Sequence, residues 1–225
     1  MKLIFANRNY SSWSLRAWLV LRHFNIPFDE DLVMLSGEGW REAIRRKSPS
    51  GKVPVLVDGD VVVPETIAII EYLNDKYPAK GIWPSSRVER ALARAAAAEM
   101  HGGFTALRNA APMNLRASHP GKVDPDEVAA DLKRIERLWG DLLSRSGGPY
   151  LFGSFTAADA MFAPVAARIR TYGLPVTDVA AEYVEAIYAL PAFQDWLAEA
   201  IKEPWVVEDD EIDVLIARKA AARQA

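Results

Sequence analysis

The sequence predicts a small α/β module in the order βαβ–α–ββα, followed by an all-helical remainder. Three observations lead there. The chain opens strand, helix, strand; a hairpin signal at Asp58-Gly59 sits between two β-branched runs; and beyond the Pro-, Gly- and Ser-rich stretch Tyr77 to Ser86 alanine-rich helical spacing replaces any strand pattern. The expected boundaries are 1–80 for the α/β part, 81–86 for the linker and 87–225 for the helical part.

Lys2 to Ala6 is a short apolar run with strand character. Ser12 to Phe24 carries Trp13, Ala17, Trp18, Leu21 and Phe24 on one helical face and ends at Asn25-Ile26-Pro27. Phe28 to Leu35 alternates partly, so the first and second strands should run parallel through a right-handed crossover. A polar helix is expected around Trp40 to Arg46. "VPVLVDGDVVV" then reads as an antiparallel hairpin, and Thr66 to Tyr77, with Ile67, Ile70 and Leu73 in register, as the helix closing the module. Further helices are expected at Arg87 to Leu107, Val123 to Leu143, Ala157 to Tyr172, Ala180 to Ala189 and Pro191 to Lys202. Glu208 to Ala225, an acidic cluster before a basic Ala-rich stretch, reads as a fraying tail.

Composition narrows the functional classes. Half of the 225 residues are hydrophobic, enough for a packed core, and a net charge of −3 argues against nucleic acid or an anionic membrane as partner. No apolar run approaches the roughly 20 residues that span a bilayer, and Met1-Lys2 leads straight into Leu3-Ile4-Phe5, so a cytoplasmic protein is expected. There is no cysteine. A thiol in its chemistry must therefore come from a ligand, and no histidine spacing suggests a metal.

Four short motifs carry the chemistry. "NYSSWSLRAW" places the hydroxyls of Tyr10, Ser11, Ser12 and Ser14 where a strand ends and a helix begins, a position that suits both a helix cap and an anion. In "SPSGKVPVL", Pro54 opens a strand, where its missing N–H does least harm, and a cis bond before it would turn the Val53 backbone outward. "PETIAIIEYL" puts Glu65-Thr66 at a helix N-terminus, whose free N–H groups and dipole favour a carboxylate. "FTAADAMFAPV" holds Thr156 and Asp159 at capping-box spacing, a folding device.

In this order and over this domain pattern, the four motifs resemble the cytosolic glutathione transferases along nearly the whole chain. "SSWSLR" is similar to the serine motif of the zeta-like and tau-like classes, with Ser11 at the catalytic position and Arg16 at the recurrent arginine. The resemblance implies a thioredoxin-like first domain, a helical second domain and a homodimer. Glutathione is the implied co-substrate and a small hydrophobic electrophile its partner. It further implies that Val53, before cis-Pro54, pairs with the cysteinyl main chain of glutathione. Thr66 would hold the γ-glutamyl carboxylate, Glu65 would face the amino group, and Lys52, Trp40 and Arg41 lie near the glycyl end. Ser11 would donate a hydrogen bond to the thiolate, with Ser12 and Tyr10 as alternative donors.

Trp13, Met100, Phe104, Leu107 and Arg108 are the candidate electrophile-site residues, the last four lying on a helix that in the family borders that cleft, though an apolar helical stripe reads equally as core or dimer contact; His101 reads as a helix-surface or interface residue. Trp13 stands where zeta-like members often have cysteine, a departure that places conjugation ahead of glutathione-dependent isomerisation of the maleylacetoacetate isomerase kind. A non-catalytic binding protein of the same fold is the third reading.

Overall fold

The computed structural model describes residues 1–224. Four strands, β1 (Lys2–Ala6), β2 (Asp29–Val33), β3 (Val55–Asp58) and β4 (Val61–Pro64), form one mixed sheet in the order β2-β1-β3-β4. β1 and β2 are parallel and joined through α1 (Ser12–His23), whereas β1–β3 and β3–β4 are antiparallel. The hairpin turn falls at Gly59-Asp60, and Gly59, at φ 60°, takes the first central position, where a positive φ favours glycine.

Strand alternation divides the apolar residues between two faces. Leu3, Phe5 and Leu56 join the main core with α1 and α3 (Thr66–Lys76), while Ile4, Val33 and Val55 form a smaller cluster with Ile44 of α2 (Trp40–Lys47). The sheet is therefore covered on both faces.

The helical part contains α4 (Arg87–Gly102), α5 (Thr105–Ala110), α6 (Pro125–Ser146), α7 (Ala157–Tyr172), α8 (Asp178–Ala189), α9 (Pro191–Lys202) and α10 (Ile212–Gln224). Two expectations are corrected here. Arg87 to Leu107 is not one helix: it breaks at Gly103 and at Phe104, which takes φ 56°. A Cβ on Gly103 would lie 2.7 Å from the Glu99 carbonyl, so the chain can pass only without a side chain there. The expected fraying tail is instead helical over Ile212–Gln224, with Lys122–Asp213 and Lys219–Glu127 ion pairs joining it to the rest of the helical part and an Arg218–Asp209 pair within it.

One continuous core runs from Leu3 to Ile212, and Ile82 and Trp83, inside the expected linker, are buried in it. α7 is its axis, buried along nearly its whole length and packed against α1, α4 and α8. Its start is the capping box: Thr156 caps the first turn, and Asp159 accepts from the Thr156 and Leu151 amides at 2.8 and 3.0 Å and from the Tyr183 and Thr156 hydroxyls at 3.0 and 3.2 Å. Burial pushes the Asp159 carboxyl up to about 6, while those donors pull the other way. Pro164 removes a donor from the middle of α7, and in the same turn Arg16 Nε donates to the Met161 carbonyl at 2.8 Å.

Asp159→Ala leaves two buried amides without acceptors and is expected to lower unfolding free energy by about 3 kcal/mol in a urea titration. A loss below about 1 kcal/mol would contradict the capping role.

Candidate active site

β1 ends at Ala6, and residues 7–11 turn the chain into α1. The Asn7 carbonyl accepts from the Tyr10 and Ser11 amides at 3.2 and 2.8 Å, and its side-chain oxygen accepts from the Leu35 amide at 2.6 Å. Ser11 is the N-cap of α1: its Oγ accepts from the Ser14 amide at 3.4 Å and donates to Ser14 Oγ at 2.7 Å. Ser12 begins the helix and is half-buried.

The same turn is gripped by the helical part of the chain. The Glu203 carboxylate accepts from the Arg8 and Asn9 amides at 2.7 and 3.0 Å, and the Trp196 indole donates to the Arg8 carbonyl at 3.0 Å. Asn9 exchanges hydrogen bonds with Asn114 and the Arg116 amide. Tyr10 donates its hydroxyl proton to Glu211 and accepts from Arg116 at 2.8 Å. Burial, and then the bond to Glu211, hold the Tyr10 phenol above its ordinary range. Of the three candidate donors, Tyr10 is thus the one already committed to a carboxylate.

A cleft of about 410 Å³ opens between the two parts. Tyr10, Ser11, Ser12, Trp13, Lys52, Val53 and Arg108 all line it, joined by Trp40, Pro112, Met113, Arg168 and Asp210. Lys52 is exposed at its rim, and the loop below it is tied by Ser48, whose hydroxyl donates to the Lys52 carbonyl at 2.6 Å. The Val53–Pro54 peptide is cis, with Pro54 buried behind the wall.

Glu65 and Thr66 do not line this cleft but stand at the neighbouring start of α3. Glu65, exposed, holds the N-cap position at φ 75° without a side-chain cap bond, so the first amides of α3 are left open. That backbone is strained for a residue with a Cβ, a cost of about 1–3 kcal/mol that functional positions often carry. Thr66 is buried and donates to the Trp13 carbonyl at 3.1 Å, which couples the start of α3 to the start of α1.

Met100, Phe104 and Leu107 are placed elsewhere than the sequence suggested. They are buried in the core and do not line the cleft, whereas Arg108 of α5 does. His101 is half-buried, its ring edge-on to Trp13 at 5.1 Å.

The inner wall is positively charged. Arg108 and Arg168 line it, and Arg16 is buried beside it; Arg16 and Arg108 lie 4.3 and 4.9 Å from the centroid of the Trp13 ring. Arg16 and Arg168 are buried; burial, then Arg168 and Arg108, pull Arg16 well below its ordinary value, while burial and Arg108 pull Arg168 down to about 10. Among the described residues none of the three forms an ion pair. Asp210 is the carboxylate on the cleft wall, and burial pushes it up to about 6 against the pull of Arg168. Arg168 left a signal in the sequence, a charge inside the apolar run "AMFAPVAARI"; Asp210, Arg116, Glu203 and Glu211 left none that spacing could reveal.

Residues 10–76 match the family model for the glutathione S-transferase N-terminal domain, and residues 88–199 match that for its C-terminal domain. The chain belongs to the glutathione S-transferase family. Glutathione S-transferase Z2 of Arabidopsis thaliana is 30% identical over 76% of this transferase and 78% of its own length. A probable maleylacetoacetate isomerase of Caenorhabditis elegans is 28% identical over 76% of this chain and 79% of its own. Among solved structures, a glutathione transferase homolog from Burkholderia with bound glutathione superposes with a TM-score of 0.68 at 26% identity, over 90% of this chain and 98% of that one. Among the described residues of this transferase no His, Asp and Glu cluster could hold a metal, and no helix is long and apolar enough to cross a membrane.

Glu203→Ala is expected to destabilise the transferase by about 2 kcal/mol, since two amides lose their acceptor, and to speed hydrogen exchange at Arg8 and Asn9 beyond the global change. Unchanged exchange at those amides would show that Glu203 does not hold the turn.

Proposed function

We propose that this protein is a glutathione transferase that stabilises the glutathione thiolate with Ser11 for attack on a hydrophobic electrophile. One observation supports the reading: Ser11, the N-cap of α1, and Val53, before cis-Pro54, line a single cleft together with Arg108 and Arg168. Lys52, Val53 and Pro54 would hold the cysteinyl and glycyl parts of glutathione. Glu65 and Thr66, with the open amides of α3, would hold the γ-glutamyl part, and Trp13 and Arg108 would flank the electrophile. Residues 1–80 are then the glutathione-binding domain, 81–86 the connection and 87–225 the domain that completes the electrophile site. A cytoplasmic homodimer fits the exposed Val61, Val62, Val88 and Leu92.

The chemistry follows from the thiol. A free thiol has a pKa near 8.5, so only a few per cent is thiolate at neutral pH, and thiolate is the nucleophile. A hydrogen bond to a charged acceptor contributes about 1.5–3 kcal/mol, and one pKa unit corresponds to about 1.4 kcal/mol, so a single Ser11 donor accounts for one to two units. The dipole of α1 and the arginines of the wall act in the same direction. No general base and no acyl-enzyme are needed; the serine is a hydrogen-bond donor throughout.

The arginines also favour a second reading, isomerisation of a carboxylate-bearing enone by the same bound thiol. Arg108 and Arg168 offer charge to an anionic substrate, and Asp210 competes for it. The likeness to proteins named as probable maleylacetoacetate isomerases supports it as well.

Ser11→Ala is expected to stay bound to immobilised glutathione while losing about 10-fold or more of kcat/KM toward a chloroaromatic electrophile. Tyr10→Phe is expected to lose far less. The reverse order would overturn the assignment, and retention without turnover of any electrophile would favour a binding protein. Affinity for a cis-enone diacid, measured by calorimetry, is expected to weaken as pH rises through about 6, where Asp210 ionises, and Asp210→Asn is expected to flatten that dependence. A flat profile in the parent protein would remove Asp210 from the substrate site.

A further inference from the structure

We propose that Ser14 is a positioning residue for the thiolate, acting through Ser11; the proposal rests on the assignment of Ser11 as the donor to sulfur. Ser14 is fully buried in the first turn of α1. Its Oγ accepts from the Ala6 amide at 3.0 Å and lies 2.7 Å from Ser11 Oγ. The Ala6 amide can only donate, so it fixes Ser14 Oγ as an acceptor on that side. On the other side the two hydroxyls share one short contact, in which Ser11 supplies the proton.

In the arrangement described here Ser11 gives its proton to Ser14. A thiolate has no proton and can only accept. To meet it, Ser11 must turn its O–H toward the cleft, which leaves the Ser11 lone pairs facing Ser14. The Ser14 O–H must then turn and donate to Ser11 Oγ in place of the present Ser11-to-Ser14 bond, giving an ordered chain from Ser14 to Ser11 to sulfur. No covalent bond changes and no proton leaves either serine; two hydroxyl rotors turn.

A hydroxyl that itself receives a hydrogen bond is a stronger donor, and the effect is larger in a low-dielectric interior. Ser14 has no exposed surface, so water does not replace it in this role. Tyr10 also receives a hydrogen bond, from Arg116, but gives its own proton to Glu211 and not to the cleft. A purely structural Ser14, needed only to satisfy the Ala6 amide, would affect stability and leave the thiol alone.

The test is an ultraviolet titration of the thiolate of enzyme-bound glutathione in the parent protein, Ser14→Ala, Ser11→Ala and the double variant, with glutathione affinity measured alongside. Ser14→Ala is expected to reduce the thiolate fraction at neutral pH by about threefold, with affinity changed less than about twofold. The double variant is expected to titrate like Ser11→Ala alone, because a residue acting through Ser11 has nothing left to act on. Ser14→Thr, which keeps the hydroxyl, is expected to restore the parent titration. If the added methyl prevents folding, the double-variant comparison decides the matter without it. An unshifted titration in Ser14→Ala, or the same shift again in the Ser11→Ala background, overturns the proposal. If Ser11→Ala itself titrates like the parent protein, the assignment of Ser11 falls and this proposal with it; if only Ser14→Ala does, the role of Ser14 alone falls.

Discussion

The turn between β1 and α1 carries the hydroxyls of the site, and it cannot satisfy its own backbone. Its amides and carbonyls are buried away from water, where an unmade hydrogen bond costs about 1–3 kcal/mol, and its neighbours in the sheet are already paired. The missing partners come from the far end of the chain. Glu203 takes the Arg8 and Asn9 amides, Trp196 the Arg8 carbonyl, and Asn114 with Arg116 the Asn9 side chain. The helical part therefore does more than wall the cleft: it fixes the conformation from which Ser11 faces it. This explains why a single core runs through both parts and why the connection between them is buried rather than loose.

The same constraint separates the hydroxyls by role. Tyr10 is spent on the C-terminal segment, joining Glu211 and Arg116, and so contributes to holding the turn. Ser14 is turned inward to the Ala6 amide. Ser11 lies between the buried network and the cleft, capping the helix with its lone pair and keeping a proton that can be redirected. Capping and the proposed thiolate stabilisation are compatible because the cap needs an acceptor, a sulfur anion would need a donor, and a hydroxyl is both.

Local chemistry made much of this legible in the sequence. The strand and helix patterns, the hairpin and the capping box of Thr156 and Asp159 follow from short-range signals, whereas the meeting of Ser11, Lys52 and Val53 in one cleft is implied only by the family resemblance. What stayed hidden depended on distance. Gly102-Gly103 stood inside an Ala-rich helical pattern, and only the close approach to the Glu99 carbonyl reveals that the chain breaks where a side chain could not fit. The last residues looked like a charged tail because the partners that order them, Lys122, Glu127, Asn114 and Tyr10, lie on distant elements.

Whether glutathione sulfur sits at Ser11 is decided by a crystal structure of the parent protein with glutathione. The sulfur is expected within hydrogen-bonding distance of Ser11 Oγ, with the cysteinyl main chain against Val53 and the Tyr10 hydroxyl still bound to Glu211. Sulfur resting instead on Ser12 Oγ, or on a Tyr10 released from Glu211, would contradict that placement.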